Sequence, residues 1–454
     1  MTTDQKMETK PELQYHIITL GCQMNKNDSE RLESILLGLD MNKTENPGMA
    51  DLIVMNSCSV RKSAEDRIYG LSQKFLEYKK NKPDLIVCVT GCMPGRDKDG
   101  KMKAKLNGVD LYFPTKDMVY LPKWLSELNP NLRSMENIEK DYLQLRPSYQ
   151  KSFQAFVTIQ TGCNHFCTYC VVPFSRGLEQ NRSLRDILDE IRELADKGCL
   201  EITLLGQIVN HYIAPDPRHF SSANPYSRND FAKLLWEINQ IPGIDRVHFT
   251  APHPLYMDEE AVDALGLPKQ VNYIHLPVQS GNDEILKKMN RRHDREYYIQ
   301  TVDRIREKHP AMAIGTDIIV GFCGETEAMF QDTVSLYQRC DFDISYNAQY
   351  SPRSGTVSYK VFQDTVSKEE KKRRWWILQN LMEKRALEKN QAYKGTVASV
   401  LVDQHDNGWC KGNSREMKRA HFQGDESDVG KMIPILLERC EEWVLWGKKY
   451  KSLS

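Results

Sequence analysis

Three cysteines lie within a few residues of each other in Thr161-Gly-Cys-Asn-His-Phe-Cys-Thr-Tyr-Cys170. Cys163, Cys167 and Cys170 follow a C-x3-C-x2-C spacing, directly after an apolar, strand-like run from Ala155 to Gln160. Three thiolates on one loop can hold three corners of a 4Fe–4S cluster, which needs four ligands to be saturated. The remaining iron then stays open to something that is not protein. A three-cysteine zinc site, or thiols that merely cluster, are the plainer readings of the same spacing.

A second trio appears when the elements that would carry it are laid out. Three apolar strand candidates each end in a cysteine: His16-Ile-Ile-Thr-Leu-Gly-Cys22, Leu52-Ile-Val-Met-Asn-Ser-Cys58 and Leu85-Ile-Val-Cys-Val-Thr-Gly-Cys92. Their intervals, 36 and 34 residues, are the size of a strand–helix unit. Asp28–Leu39 and Ser63–Lys79 have helix-like apolar spacing between them. Alternating strands and helices predict a parallel sheet whose right-handed crossovers bring every strand's C-terminal end to one edge. Ligand sites of open α/β sheets form there. Cys22, Cys58 and Cys92 are therefore expected to converge as a second three-thiolate site. One cysteine at a strand end is core filler; three at equivalent positions are not. Cys88 lies inside its strand and reads as core.

Composition sets the frame. A chain of 454 residues suggests about three domains. Its 40% hydrophobic content supports real cores. No apolar run of ~18 residues is present to span a membrane. The polar opening Met1–Lys10 shows no apolar signal segment, so a cytoplasmic location is expected. Twelve cysteines in such a chain favour metal chemistry over a disulfide framework. Net charge is zero, so a nucleic-acid partner has to be held by local basic patches.

Pro122 to Gln154 is less periodic, with Asn129-Pro-Asn-Leu and Arg146-Pro-Ser as breakers, and the first boundary falls near 147. Strands and helices then alternate again. Strands are predicted at 155–160, 202–205, 246–250, 272–276, 313–320 and 345–350, with helices at 183–197, 231–239, 283–289, 295–308 and 327–339. Ser183 suits an N-cap, with Asp186 three residues on. Six such units make a partial TIM-like (β/α)6 barrel with its working loops at the C-terminal strand ends. The three-cysteine loop follows the first strand. Leu204-Leu-Gly-Gln207, Leu276-Pro-Val-Gln-Ser-Gly281 and Gly315-Thr-Asp-Ile-Ile-Val-Gly-Phe-Cys-Gly-Glu325 end the second, fourth and fifth. His165, His248 and His253 lie nearby and are given no chemistry.

Lys371-Lys-Arg-Arg-Trp-Trp376, inside a helix from 368 to 389, is the most basic stretch. The tryptophans suit base stacking and core anchoring alike. From Tyr393 short β-branched strands, at 395–402 and 432–437, and the turn Asp406-Asn-Gly read as a small antiparallel barrel. From Lys384 onward there are 13 Lys and Arg against 10 Asp and Glu, which permits contact with RNA without demanding it.

Two three-cysteine sites, this order of motifs and a terminal β-domain together resemble the methylthiotransferase family of the radical S-adenosylmethionine (SAM) superfamily, over nearly the whole chain. The resemblance implies an α/β chain of three domains: a cluster-bearing parallel-sheet domain at 1–147, a radical SAM barrel at 148–382 and a TRAM domain at 383–454. Cys167-Thr-Tyr-Cys-Val-Val-Pro173, His275-Leu-Pro-Val-Gln-Ser-Gly281 and Lys288-Met-Asn-Arg-Arg-His293 look like the branch acting on isopentenyladenosine. Other branches act on threonylcarbamoyladenosine in tRNA or on a ribosomal-protein aspartate.

By that resemblance, Cys163, Cys167 and Cys170 bind the cluster that cleaves SAM, and Cys22, Cys58 and Cys92 bind an auxiliary cluster carrying the sulfur. Tyr169, Gly206, Gln207, Gln279, Ser280 and Gly321 fall at SAM-binding positions. Two SAM molecules serve each turnover: one methylates the sulfur, the other yields a 5′-deoxyadenosyl radical that takes hydrogen from C2 of the adenine. That C–H is neither acidic nor electrophilic enough for acid–base work, which is why a radical is needed. The implied partners are tRNA, through an anticodon stem-loop with isopentenyladenosine at position 37, and an external electron donor such as flavodoxin or ferredoxin. No membrane is implied, and a monomer is expected. Cys323, Ile208, Leu178 and Asn181 depart from the residues usual at their positions, and Leu178 removes a charge.

Overall fold

In the first part of the chain five short strands assemble into one parallel sheet: β1 (Gln14–Leu20), β2 (Asn42–Lys43), β3 (Leu52–Ser57), β4 (Ile86–Gly91) and β5 (Leu111–Tyr112), in the order β2-β1-β3-β4-β5. The structure is a computed structural model and describes residues 12–60, 62–130, 132 and 141–450. The polar opening and the breaker Asn131 lie outside the described residues. Alternation along β3 and β4 divides their side chains between two cores. Leu52, Val54, Ile86 and Cys88 face one with Leu32 and Leu36 of the helix Gln23–Gly38. Ile53, Met55, Val87 and Val89 face the other with Ile68 and Phe75 of the helix Lys62–Asn81. A sheet buried on both faces reads as the continuous apolar runs seen here. Truncating the fully buried Phe75 to Ala would remove about 3–5 kcal/mol.

The chain falls into two units. The first holds residues 1–150 together with 161–163 and 171–178; the second holds 151–160, 164–170 and everything from 179. Cys163 therefore groups with the first unit, and Cys167 and Cys170 with the second.

The second unit contains β6 (Gln154–Thr158), β9 (Glu201–Leu205), β10 (Arg246–Phe249), β11 (Tyr273–His275), β12 (Ala313–Val320) and β13 (Ile344–Gln349); the two-residue strands β7 (Gln160–Thr161) and β8 (Gln180–Asn181) come between. These are the six expected barrel strands. They form two parallel three-stranded sheets, β10-β9-β6 and β11-β12-β13, and a bridge from Val247 to Gln270 follows β10. Ser183 caps the helix Leu184–Asp196 by accepting from the Asp186 N–H at 3.1 Å.

The terminal strands β14 (Val397–Asp406), β15 (Trp409–Asn413), β16 (Arg419–Gln423), β17 (Met432–Cys440) and β18 (Leu445–Lys449) close into a barrel. Asn407 and Gly408 take φ of 49° and 81°, the pair of positive values that a tight primed hairpin turn requires. The pairings are antiparallel except β16 with β18, which run parallel. Arg246 ties this barrel to the larger one: its guanidinium donates to the Asn413 and Ser414 carbonyls, each at 2.9 Å, and pairs with Glu201 at 3.0 Å.

Candidate iron–sulfur and SAM sites

The ladders fix where the first unit's cysteines lie. Leu20 is paired with Ser57, and Ser57 with Gly91, so Cys58 and Cys92 leave adjacent strands at the same level and Cys22 leaves one residue later. All three stand at the C-terminal edge of one sheet, as the repeat predicts. A Cβ on Gly21 would lie 2.9 Å from the Cys58 Cβ, so the backbone before Cys22 passes directly beside Cys58. Asn25 and Asn56, which the sequence reading assigned no role, lock this edge. The Asn25 amide donates to Asn56 Oδ1 at 3.2 Å, the Asn56 amide donates to the Asn25 carbonyl at 2.8 Å, and Asn25 Oδ1 accepts from Cys22 N–H and Sγ. The Val60 N–H donates to Cys58 Sγ at 3.3 Å.

Burial pushes the Cys92 thiol up to about 11, against the pull of Arg176. The Arg176 side chain, 3% exposed, pairs with Asp28 at 2.5 Å. Asp28 also accepts from the Tyr142 hydroxyl at 2.5 Å. Arg176 ends the short helix Val172–Arg176, which packs against the helix Cys92–Arg96: a Cβ on Gly95 would lie 2.1 Å from the Ser175 carbonyl oxygen.

In the second unit, the loop 164–170 is braced by Lys288–Asn290. The Thr168 N–H donates to Met289 O at 3.0 Å, its hydroxyl to Lys288 O at 2.8 Å, and the Asn290 amide to His165 O at 2.9 Å. The next residue, Arg291, is buried and holds a guanidinium 3.8 Å from Cys167 Sγ, with its other arm on Pro277 O at 2.9 Å. Tyr169 packs beside Ile285, Met289, Phe322 and Cys323. Cys323, one of the departures, is thus ordinary core, and burial raises its thiol.

The remaining SAM candidates sit at C-terminal strand ends. Gly206 and Gln207 follow β9; a Cβ on Gly206 would meet Val209 Cα at 3.1 Å and Gln160 Oε1 at 3.2 Å, so protein atoms alone already ask for glycine. Gln207 Oε1 is buried with no partner among the described residues. Gln279 has φ of 75° and donates to Asp317 O at 2.9 Å; Ser280 is fully buried. Gly321 follows β12 with φ of 70°, its N–H donating to Glu325 at 2.6 Å and its absent Cβ leaving room for Lys371. Of the other departures, Ile208 is buried with its N–H on Gln160 Oε1, Asn181 accepts from the Gln160 amide, and Leu178 is exposed.

The histidines pack together. His165 and His253 have ring centroids 4.6 Å apart, and His165 Nε2 lies 2.7 Å from the Tyr256 hydroxyl. Burial drives both rings below the ordinary histidine range, His165 to about 4, and pushes His248 down to about 3. The basic helix, Lys368–Gln391, is not an open cationic face at its start. Lys371 pairs with Asp364 and Arg374 with Glu325 and Glu370, both basic side chains buried; Trp375 donates to Asn347 O at 2.8 Å while Trp376 is exposed.

Among the described residues no three His, Cys, Asp or Glu side chains converge on a point where a single metal ion could sit. A zinc site needs such a point. Thiolates of a four-iron cluster each bind a different iron, so they need not share one. Cys22, Cys58 and Cys92 at one sheet edge, and Cys167 and Cys170 on the braced loop with the Arg291 guanidinium beside Cys167, are donors of the kind such a cluster takes.

Residues 157–337 match the Radical SAM superfamily, and residues 14–114 match a family described as Uncharacterized protein family UPF0004. The chain is 39% identical over 445 residues to the tRNA-2-methylthio-N(6)-dimethylallyladenosine synthase of Thermoanaerobacter sp. (strain X514), covering 96% of this chain and 92% of that one. It is 38% identical to the enzyme of the same name from Clostridium botulinum (strain Okra / Type B1), covering 96% and 97%. The chain belongs to this radical SAM methylthiotransferase family. Among solved structures, the radical SAM methyltransferase TsrM of Kitasatospora setae matches with a TM-score of 0.54 at 13% identity, over 88% of this chain and 80% of that one. At that identity the likeness speaks for the fold. Both the methylthiotransferase relatives and the matched regions span the two cysteine trios.

Proposed function

We propose that this enzyme converts N6-isopentenyladenosine at position 37 of tRNA to its 2-methylthio derivative, with tRNA and SAM as substrates. The observation that carries the reading is the 38–39% identity, over 96% of this chain, to synthases of that name. Two 4Fe–4S clusters and SAM, when bound, would supply the radical that removes the C2 hydrogen and the sulfur and methyl group that replace it.

The chain's own residues do the holding. Cys163, Cys167 and Cys170 would ligate one cluster, with Lys288–Asn290 fixing the loop and Arg291 beside Cys167. Cys22, Cys58 and Cys92 would ligate the other, their edge set by the Asn25–Asn56 clasp. Tyr169, Gly206, Gln207, Gln279, Ser280 and Gly321 are offered as the SAM-facing positions. The terminal domain from 383, which begins inside the helix Lys368–Gln391 and includes the barrel strands from Val397, is offered as an RNA-binding domain, after the cluster domain to 147 and the radical domain to 382. An external low-potential donor of the flavodoxin or ferredoxin type would supply the electron. The enzyme would act as a monomer in the cytoplasm, where its tRNA is; no helix among the described residues is long and apolar enough to cross a membrane.

Mass spectrometry of nucleosides tests this. Isopentenylated tRNA lacking the methylthio group is incubated anaerobically with reconstituted protein, SAM and dithionite. The 2-methylthio nucleoside is expected; its absence, with threonylcarbamoyladenosine-bearing tRNA modified instead, would move the enzyme to a different branch.

A further inference from the structure

A buried arginine side chain lies close to each cysteine trio, Arg291 to one and Arg176 to the other, and the two are compensated differently; Arg96, whose side chain is also buried and which lies on the helix that begins at Cys92, is matched by Glu65. Arg291, beside Cys167, forms no ion pair with a carboxylate among the described residues; its polar contacts are the thiol, a backbone carbonyl and Tyr169. Its Nε is buried with no hydrogen-bond partner among the described residues. Arg176, whose short helix packs on the helix that begins at Cys92, is matched by Asp28 at 2.5 Å, with both side chains nearly sealed from solvent. Buried ion pairs add little net stability, so stability alone is a weak reason for either cation to be there. A buried charge acts strongly on its neighbours, because little water screens it. Net charge and hydrogen bonds around the sulfurs are what set a cluster's reduction potential.

We infer that Arg291 and the Arg176–Asp28 pair set the electron affinities of the two sites apart, so that a single incoming electron goes to the Cys163/Cys167/Cys170 site. The inference rests on both trios binding clusters. An uncompensated guanidinium favours the form carrying one more negative charge and raises the potential. At the other site the Asp28 carboxylate cancels most of that pull. The step is a one-electron reduction by the external donor, with no bond made or broken. Its use is selectivity: an electron spent at the sulfur-bearing site would cleave no SAM. Arg291 and Arg176 are positioning residues here, acting on the sulfurs through charge.

The experiment uses full-length protein in two backgrounds, each keeping one trio: Cys22, Cys58 and Cys92 all replaced by Ala, or Cys163, Cys167 and Cys170 all replaced by Ala. Each is reconstituted anaerobically, assayed for iron and titrated with dithionite, following the reduced cluster by electron paramagnetic resonance. The Cys163/Cys167/Cys170 site is expected to reduce at the higher potential. Arg291→Gln should shift it downward, and Arg291→Lys, which keeps the charge, should restore most of the shift. Asp28→Asn should shift the other site upward, toward the first. Opposite directions are what charge predicts; loosened packing would not produce them. Equal potentials in the two parent backgrounds, or no shift in Arg291→Gln and Asp28→Asn, would overturn the inference while leaving the proposed reaction intact. Failure of a background to take up iron would instead overturn the cluster assignment, and the inference with it.

Discussion

Glu30 shows how a single buried carboxyl makes the first unit's stability depend on pH. Burial pushes it from 4.5 up to about 7, only partly offset by the Asn27 amide. Between those values the unfolded chain has lost the proton and the folded chain has kept it. Stability therefore falls as pH rises from about 4.5 to about 7 and is level beyond. The size is about 3 kcal/mol at most. Glu30→Gln is expected to be more stable than the parent in urea denaturation at pH 8, and nearly equal to it at pH 4.5. An advantage of the same size at both pH values would rule out the charge as its source. The placing of Cys22, Cys58 and Cys92 at one sheet edge was legible because they recur at one repeat position. Arg176 was legible only as a retained arginine: its partner Asp28 is 148 residues away, and no spacing rule reaches that far. Arg291 lies inside the Lys288–His293 stretch, but only the folded loop shows that this stretch braces the backbone around Cys167.

At the scale of elements, the long periodic helices came through closely. Arg295–Lys308 matches its expected span, and Glu327–Cys340 differs by a residue. The helix after Cys22 begins at Gln23, well before the expected Asp28, because Asn25 turns inward to the clasp and hides the polar face that periodicity relies on. The helices Cys92–Arg96, Val172–Arg176 and Glu259–Ala264 were missed. None has two full turns, too few for a repeat to register. Two of them matter most for the sites, since Cys92–Arg96 and Val172–Arg176 meet backbone to backbone at Gly95. Gly95→Ala places a methyl against the immovable Ser175 carbonyl and should cost about 1–3 kcal/mol. Differential scanning calorimetry of the apoprotein reads this directly; an unchanged melting temperature would mean the two helices part at no cost.

Across the whole molecule, the two trios should behave as separate metal sites. About eight irons per chain are expected on reconstitution, and about four in either triple variant. The variant lacking Cys22, Cys58 and Cys92 should still form 5′-deoxyadenosine and yield no methylthio product. If it holds four irons and forms none, the SAM-cleaving role belongs to other cysteines. The terminal barrel, by contrast, is not a detachable accessory. Ending the chain after Ala392 strips Arg246 of the Asn413 and Ser414 carbonyls, and Asp343 of Lys418. Each lost bond to a buried charge costs on the order of 1–3 kcal/mol, so the melting temperature should fall by about 5 °C or more. A truncated chain melting with the parent would show the barrel to be independent of its cap. With zero net charge overall, any tRNA affinity measured on the intact chain should still weaken steeply with salt, because phosphate contacts are made by local cations.

The first unit takes back residues 161–163 and 171–178 from later in the chain. A ribosome that has released only the first 150 residues has made Asp28 without Arg176, and Gly95 without Ser175. Its fold waits for the codons that encode residues 161–163 and 171–178. Recombination that joined this sheet to a different barrel, cutting at the obvious linker, would leave a buried aspartate without its cation. A chimaera between relatives is expected to keep its stability when the crossover lies beyond Leu178, so that the sheet and residues 171–178 come from one parent.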